Sequence, residues 1–387
     1  MKLKRRSLLQ IIVILAVAAV CFVYNFYIDD IINFKILSIG DMNPYGGWST
    51  IKSLFTDLSY KWRGFSKSMA LTAALSVSAL FFGRFFCGYI CPVGALQDFF
   101  NYIGRRLGLK EIKLNNKHFK FEIIKFIVLI VILILSIFEL GNLISPFSPW
   151  LAYLNFFMGL NFNVGSLVLL LILLISLFTK RIFCRSMCPL GAFQTLLYAI
   201  GPFKLYKPHN CGGCKNCIKN CPVDIDSSEE LVISPECINC SECTSSVCIK
   251  GYEGYKYKFA KQQMKHYVLI CMSLIMSIYI VLPLLPFSSE VLSIRNIDNL
   301  NDGIYTGKGI GFGGNLEIEV IINNKEIKNI SIMEHSETTG YYEEVFKIMA
   351  KDIVATQNLN VEVISGATAT SRGLLNSVKD AVSKSLY

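Results

Sequence analysis

Long apolar runs alternate with polar, charged stretches over the first three quarters of the chain. Each run approaches the roughly 20 residues that a helix needs to cross a bilayer. The runs lie at 8–27, 67–83, 122–140, 165–179 and 267–287. The pattern predicts an α-helical transmembrane bundle of about five helices, in which the second and fourth helices recruit neighbouring residues.

The last quarter of the chain has the pattern of a soluble domain. Apolar and polar residues alternate between Leu316 and Ile322, which predicts a half-buried strand, and a second strand is expected from Ile327 to Ile332. Helices are expected over 342–350 and 371–383. The glycine-rich segments 302–307 and 311–314 are interpreted as turns. The pattern predicts a C-terminal α+β domain.

Composition excludes an ordinary soluble protein. Hydrophobic residues make up 53% of the 387 residues, and the mean hydropathy is +0.46. The net charge of +10 comes from lysines and arginines beside the apolar runs, which indicates membrane orientation. The sequence contains no nucleic-acid-binding motif, so we expect a membrane and no nucleic acid as partner.

The positive clusters also predict the topology. They lie before the first run and after the second and fourth runs, so these segments should be cytoplasmic and the domain after the fifth run extracytoplasmic. The first run has no small-x-small cleavage pattern, so we interpret it as an uncleaved anchor rather than a signal peptide. The predicted location is a multi-pass cell-membrane protein.

Eight of the 14 cysteines form two runs between residues 207 and 255. The first run has the C-x2-C-x2-C-x3-C-P spacing of two-cluster bacterial ferredoxins, in which the fourth cysteine of a run ligates the other cluster. The predicted ligands are Cys211, Cys214, Cys217 and Cys248 for cluster one, and Cys237, Cys240, Cys243 and Cys221 for cluster two. In the second run four residues, rather than three, separate Cys243 from Cys248, and Ile249 stands where proline is expected. A zinc ribbon would leave four of the eight cysteines unexplained, so we predict two [4Fe–4S] clusters.

A sequence repeat lies upstream of these runs. Residues 84–104 align without gaps on 181–201, and 10 of the 21 positions are identical. Each copy contains a C-x3-C-P motif, and cysteines four apart face one side of a helix, which the following proline should bend or end. The four cysteines are Cys87, Cys91, Cys184 and Cys188. They suit an iron–sulfur cluster, another metal such as copper, or a redox dithiol pair. The alternative is that they are inert structural thiols.

Together these motifs resemble the membrane polyferredoxins of the NapH and NosR type. In that family, helices with two C-x3-C-P motifs precede a cytoplasmic two-cluster ferredoxin, and the resemblance covers about 65–255. It implies electron transfer near the quinone pool, and in NosR a flavin domain is joined to the same core.

The C-terminal segment 303–382 resembles the FMN-binding domain of NosR and of the flavin subunits of Rnf and the sodium-translocating NADH:quinone reductases. The segment at 365–371 would by itself be a helix cap. The resemblance implies that Ser365, Gly366, Ala367 and Thr368 form the S-G-A-T motif, with FMN attached covalently to Thr368 by a flavin transferase. His335, Glu337, Thr338 and Gly340 match the flavin-lining loop. Glu362 replaces the family's usual aspartate, so non-covalent FMN is the alternative.

These expectations divide the chain into four parts. They are a transmembrane core (1–206), a cytoplasmic two-cluster ferredoxin-like α+β insert (207–255), a fifth transmembrane helix with a linker (256–298) and an extracytoplasmic FMN-binding domain (299–387). No haem c motif, dinucleotide-binding motif or P-loop is present.

We therefore expect an electron-transfer oxidoreductase that links a cytoplasmic donor, such as ferredoxin or flavodoxin, with a quinone or an extracytoplasmic acceptor. A NosR-like redox regulator and a protein that handles copper through its C-x3-C-P pairs are the alternatives.

Overall fold

The computed structural model describes residues 5–28, 31–32, 37, 39–45, 67–112, 122–137, 145–159, 164–207, 221–225, 233–244, 255–259, 262–263, 266–284, 300–337, 342–359, 361, 364 and 367–386. Its α-helices are α1 (Arg5–Ile28), α2 (Ile39–Met42), α3 (Lys67–Phe82), α4 (Phe85–Tyr89), α5 (Pro92–Arg106), α6 (Glu122–Ile137), α7 (Pro149–Gly159), α8 (Val164–Ser176), α9 (Ile182–Ser186), α10 (Pro189–Ile200), α11 (Tyr267–Val281), α12 (Tyr342–Glu344), α13 (Ala350–Thr356) and α14 (Thr368–Lys384). Short 3-10 helices lie at Ser145–Phe147 and Leu282–Leu284, and a π-helix at Val345–Met349 joins α12 to α13.

All five predicted apolar runs contain a helix. Among the described residues, two helical stretches, Arg6–Tyr27 and Tyr267–Leu284, are long and apolar enough to cross a membrane. The helices α3, α6 and α8 are apolar but shorter. Large apolar side chains on the two long helices, including Leu15 and Leu269, are exposed, as expected for surfaces that meet lipid or another protein. The described part of the chain is thus mostly helical and contains two span-length helices.

The two C-x3-C-P copies fold alike, as α3–α4–α5 and α8–α9–α10. We expected both cysteines of each pair to lie on one helix, and this was wrong. Cys87 lies in α4 and Cys91 caps α5, while Pro92 is the first residue of α5. Proline suits this first position because its missing N–H and fixed φ cost a helix nothing there. The second copy is built in the same way, with Cys188 as the cap and Pro189 as the first residue of α10.

The two copies pack reciprocally. Helix α5 of the first copy packs on α8 of the second, and α10 of the second packs on α3 of the first. A Cβ at Gly104 would lie 2.0 Å from the carbonyl oxygen of Leu177, and a Cβ at Gly201 would lie 1.9 Å from that of Leu80. Only glycine allows the backbones to approach so closely. Each copy therefore completes the other.

A small antiparallel sheet lies between the helices and the ferredoxin segment. It consists of β1 (Phe203–Tyr206), β2 (Lys256–Phe259) and β3 (Gln262–Gln263), in that order. In the register of the first pair, Phe203 faces Phe259 and Tyr206 faces Lys256. The sheet ties the chain that enters the ferredoxin segment to the chain that leaves it.

The C-terminal domain is an antiparallel meander of β4 (Gly303–Ile310), β5 (Asn315–Asn323) and β6 (Glu326–His335), with α14 packed on β4 and β5. The two predicted strands and two predicted helices are confirmed, and the turn at 311–314 closes with a bond from Gly311 N–H to the Gly314 carbonyl oxygen, 2.8 Å. The turn expected at 302–307 was wrong, because most of that segment lies in β4. Gly307 serves close packing, since a Cβ there would lie 2.0 Å from the carbonyl oxygen of Ser377 in α14.

Helix α1 contacts a different part of the molecule at each end. Near its start, Arg6 donates to the Gly88 carbonyl oxygen at 3.1 Å and pairs with Glu242 of the ferredoxin segment at 3.6 Å. Near its end, the Tyr24 hydroxyl donates to Glu344 of the C-terminal domain at 2.8 Å. Tyr24 lies 18 positions after Arg6, which corresponds to about 27 Å along a helix.

Candidate functional site

Four of the eight ferredoxin cysteines lie within the described residues, and the structure brings these four together. Cys221, Cys237, Cys240 and Cys243 line one pocket whose other walls are mostly apolar or aromatic. This is the set predicted for cluster two, including Cys221 from the other run. The cluster-one cysteines, Cys211, Cys214, Cys217 and Cys248, lie outside the described residues. The assignment of ligands to both clusters stays a prediction.

The backbone between these cysteines wraps the pocket. Asn239 and Ser241 adopt left-handed conformations, with φ of 48° and 63°, which single short polar residues tolerate better than bulky ones. The Asn239 N–H points at the sulfur of Cys237, 3.4 Å away. Backbone N–H groups directed at sulfur are the interactions that tune iron–sulfur centres.

The pKa values of the buried thiols indicate whether an iron–sulfur cluster fits the pocket. Burial raises the pKa of the Cys240 thiol to about 11 and raises that of Cys243 well above its ordinary value. Thiolates at these positions therefore need a cationic partner. Four cysteines around one pocket form the ligand set of a [4Fe–4S] cluster, so the residues fit this group.

The C-x3-C-P cysteines form a second assembly, which we call the tetracysteine site (Cys87, Cys91, Cys184 and Cys188). Cys87, Cys184 and Cys188 are buried and Cys91 is half-buried. The site has cross-copy hydrogen bonds: Cys87 donates to the Gln194 side-chain oxygen at 3.0 Å, and the Gln97 amide donates to the Cys184 sulfur at 3.3 Å.

The two glutamines occupy equivalent positions of the repeat. Each copy therefore supplies two cysteines and a glutamine that reaches the other copy. Cys91 packs against the buried cluster that contains Cys87 and Cys188. Within the described residues, no three His, Cys, Asp or Glu side chains are arranged to hold a single metal ion.

The tetracysteine site and the cluster-two pocket are adjacent. Gly88, next to Cys87, packs on the ferredoxin segment so closely that a Cβ there would lie 2.4 Å from the Ile238 carbonyl oxygen and 3.6 Å from the Cα of Cys240. Cysteines of both sites belong to one continuous buried cluster of residues.

Two buried arginines flank the tetracysteine site, and sequence reasoning missed both. Arg181 pairs with Asp98 through two bonds of 2.7 and 2.6 Å. Arg84 pairs with Glu236 at 2.8 Å. The repeat aligns Arg84 with Arg181 and Gln97 with Gln194. Their identity in both copies of the repeat could therefore have indicated that these residues matter. The alignment does not show which acidic residues pair with the arginines.

The C-terminal domain assembles part of the predicted flavin site. Ala367 caps α14 and Thr368 is its first residue, so the free N–H groups of this helix start lie beside the predicted attachment point and suit a phosphate group. The side chain of Thr368 lies outside the described part of the chain, as do Ser365, Gly366, Thr338 and Gly340.

Glu337 connects three segments of this domain. It accepts a hydrogen bond from the Thr370 hydroxyl at 2.6 Å and one from the Gly313 N–H at 3.2 Å. Its other carboxylate oxygen is buried without a hydrogen-bond partner among the described residues. The His335 ring packs against Tyr342, with centroids 4.4 Å apart. A helix start and an unsatisfied polar atom beside an aromatic group are compatible with bound FMN.

Comparison with known proteins matches the flavin site and the segments of the tetracysteine site. Residues 311–383 match the family described as FMN-binding domain. Residues 68–110 and 163–208 match the family described as 4Fe-4S binding domain, and each of these segments contains one C-x3-C-P pair. An uncharacterized protein of Methanocaldococcus jannaschii is 34% identical over 200 residues, which cover 50% of this chain and 81% of the relative.

The chain belongs to the NapH/NosR-type polyferredoxin family. The ferredoxin-type protein NapH of Escherichia coli is 27% identical over 195 residues, covering 47% of this chain and 66% of NapH. The regulatory protein NosR of Pseudomonas aeruginosa is 28% identical over 218 residues, covering 53% of this chain and 30% of NosR. This chain combines two segments of the 4Fe-4S binding domain family with a C-terminal FMN-binding domain.

Proposed function

We propose that this protein carries electrons across a membrane, from a cytoplasmic low-potential donor or quinone to an extracytoplasmic acceptor. Electrons would enter at the ferredoxin segment and reach the FMN domain through the tetracysteine site. Iron–sulfur clusters supply one-electron transfer and FMN can exchange one or two electrons.

The observation that carries this proposal is the position of the two redox regions along α1. The ferredoxin segment contacts Arg6 and the FMN domain contacts Tyr24. Their separation of about 27 Å along the helix is comparable with the roughly 30 Å hydrocarbon core of a bilayer. The positive charges before α1 support a cytoplasmic ferredoxin segment and an extracytoplasmic FMN domain.

The tetracysteine site supports a route between these ends, and we propose that it holds an iron–sulfur centre. On one side it contacts the cluster-two pocket through Gly88. On the other side the Tyr45 hydroxyl lies 4.0 Å from the Cys188 sulfur. The same buried cluster continues to Trp150 and Tyr24, which shortens the distance that a quinone or partner subunit must bridge.

For the flavin, we propose covalent attachment to Thr368. The competing hydroxyl, Thr370, is buried and bonded to Glu337, so Thr368 is the better acceptor in this segment. A flavin transferase would make the bond during maturation.

Sealed inside-out vesicles test the direction of transfer. Reduced ferredoxin or flavodoxin is added outside, where the ferredoxin segment should be exposed, and ferricyanide trapped in the lumen is the impermeant acceptor. We expect lumenal ferricyanide to be reduced, with one consumed for each electron delivered by the donor. Cys221→Ala and Cys184→Ala should lower this rate at least tenfold. Cys271→Ala, in a buried cysteine of α11 outside both sites, should not.

Other outcomes separate the alternatives. If extraction of quinone from the vesicles lowers the rate of ferricyanide reduction, quinone is the link to the acceptor. Full cofactor content without turnover would favour a regulator. Copper that co-purifies with the wild type and is lost in Cys184→Ala would favour a copper-handling protein.

A further inference from the structure

Arg84 lies between the two redox sites. It precedes α4, is 1% exposed, and donates from Nη1 to both the carbonyl oxygen and the carboxylate of Glu236, at 3.1 and 2.8 Å. Glu236 immediately precedes Cys237, one of the cysteines of the cluster-two pocket. Lys125 also pairs with Glu236. One edge of the guanidinium is therefore fixed to the ferredoxin segment.

The other edge of the Arg84 guanidinium faces the tetracysteine site. A Cβ at Gly191 would lie 2.9 Å from Nη2 of Arg84 and 3.5 Å from the Cβ of Cys188. The Gly191 N–H itself points at the Cys188 sulfur, 3.3 Å away. In the part of the chain that the structure describes, Nε and Nη2 of Arg84 are buried without a hydrogen-bond acceptor.

Unsatisfied buried donors on a charged group are costly, so a native acceptor is expected beside them. The repeat provides an internal comparison. Arg181, at the equivalent position, uses Nε and Nη2 on Asp98 and donates from Nη1 to the Cys87 carbonyl oxygen at 2.6 Å. Among the described residues, the same arginine position is therefore satisfied in one copy and has two donor atoms without acceptors in the other. The sulfur atoms of an iron–sulfur centre at the tetracysteine site would accept the free donors of Arg84.

We propose that Arg84 is a shared electrostatic partner of the tetracysteine site and the cluster-two pocket, so that one cation sets the reduction potentials of both. This inference rests on the proposed iron–sulfur centre at the tetracysteine site. A buried positive charge favours the reduced, more negative state of each centre, and the effect is strong where water is excluded. Arg84 thus helps to keep the two adjacent centres reducible in the same potential range.

Redox titration monitored by EPR tests the proposal without measuring turnover. Cys184→Ala and Cys221→Ala first assign one signal to each site. Arg84→Gln should then lower both potentials, each by at least about 59 mV, which is tenfold in the equilibrium constant of a one-electron couple. Arg84→Lys, which keeps the charge, should restore most of both shifts. Glu236→Gln, which removes the neighbouring negative charge, should shift both potentials upward.

Arg181→Gln is the matched control. We expect it to shift the reduction potential of the tetracysteine signal more than that of the cluster-two signal. If Arg84→Gln moves only one potential, or if Glu236→Gln shifts the potentials downward, the shared role is wrong. If no signal or iron depends on Cys87 or Cys184, the proposed centre itself is absent and the inference fails with it. Iron analysis distinguishes two failures. In one, the tetracysteine centre is absent; in the other, both centres are present but Arg84 does not influence both.

Discussion

The Tyr24 hydroxyl donates a hydrogen bond to the Glu344 carboxylate at 2.8 Å, across 320 residues of sequence. Both residues are buried. This contact joins the first helix directly to the FMN domain. The FMN domain is therefore held by the helical core as well as by the chain that follows α11.

Replacing Tyr24 with phenylalanine should loosen this docking. A hydrogen bond to a charged group contributes about 1.5–3 kcal/mol, and Tyr24→Phe removes it while keeping the ring. We expect a protease to release the C-terminal domain severalfold faster, with iron content unchanged. Tyr153→Phe is the control, because its hydroxyl bonds to the Ile14 carbonyl oxygen within the helical core. Equal release from both variants would contradict a specific docking role.

Cys221 should serve the cluster built on the other run. It shares one pocket with Cys237, Cys240 and Cys243, so Cys221→Ala should damage that cluster and preserve the one predicted on Cys211, Cys214 and Cys217. Iron content should fall by about one cluster, with one EPR signal retained. Loss of the Cys211 cluster with an intact Cys237 cluster would show that the crossover assignment is wrong.

The tetracysteine site should behave as one centre. Because each copy contacts the other through Gln97 and Gln194, Cys87→Ala and Cys184→Ala should each abolish the same spectroscopic signal. The double variant should lose no more than either single variant, as residues in one network are not additive. Independent, additive losses would refute a shared centre, and unchanged iron and activity would favour structural thiols.

Thr368 should carry the flavin. In denaturing gels, flavin fluorescence should stay with the wild-type band and disappear in Thr368→Val. Thr370→Val should keep the fluorescence but lower the stability of the domain by about 1–3 kcal/mol, because the buried Glu337 carboxylate loses a donor. Thermal unfolding measures the second effect. Fluorescence lost only in the Thr370 variant would move the attachment point, and none in the wild type would indicate non-covalent FMN.

The alternation of apolar and polar residues predicted much of the C-terminal domain. The prediction failed where a glycine allows close packing against an element distant in sequence. The alternation around Ile318 and Val320 indicated β5 because alternate side chains enter the core. Gly303 and Gly307 suggested a turn, whereas they lie in a strand that a helix covers closely. Sequence alone does not show whether a glycine is needed for its own φ or for the approach of a neighbour.

The cysteine-rich regions show the same limit. Spacing alone identified the ferredoxin cysteines as candidate cluster ligands. The sequence repeat suggested that the two C-x3-C-P pairs form one shared site. The pairing of Arg84 with Glu236 joins residues 152 positions apart, and no local pattern links them. The break between Cys87 and Cys91 was also missed, because proline was taken to end a helix when Pro92 begins one.

The reciprocal fit of Gly104 on Leu177 and Gly201 on Leu80 has a consequence for ancestry. A single ancestral unit of this kind would have had no surface of its own to close against, and would have completed its structure by pairing with an identical unit. Duplication and fusion of such a unit would have allowed the two halves to diverge. Arg181 now directs Nε and Nη2 to Asp98, whereas Arg84 pairs with Glu236 through Nη1.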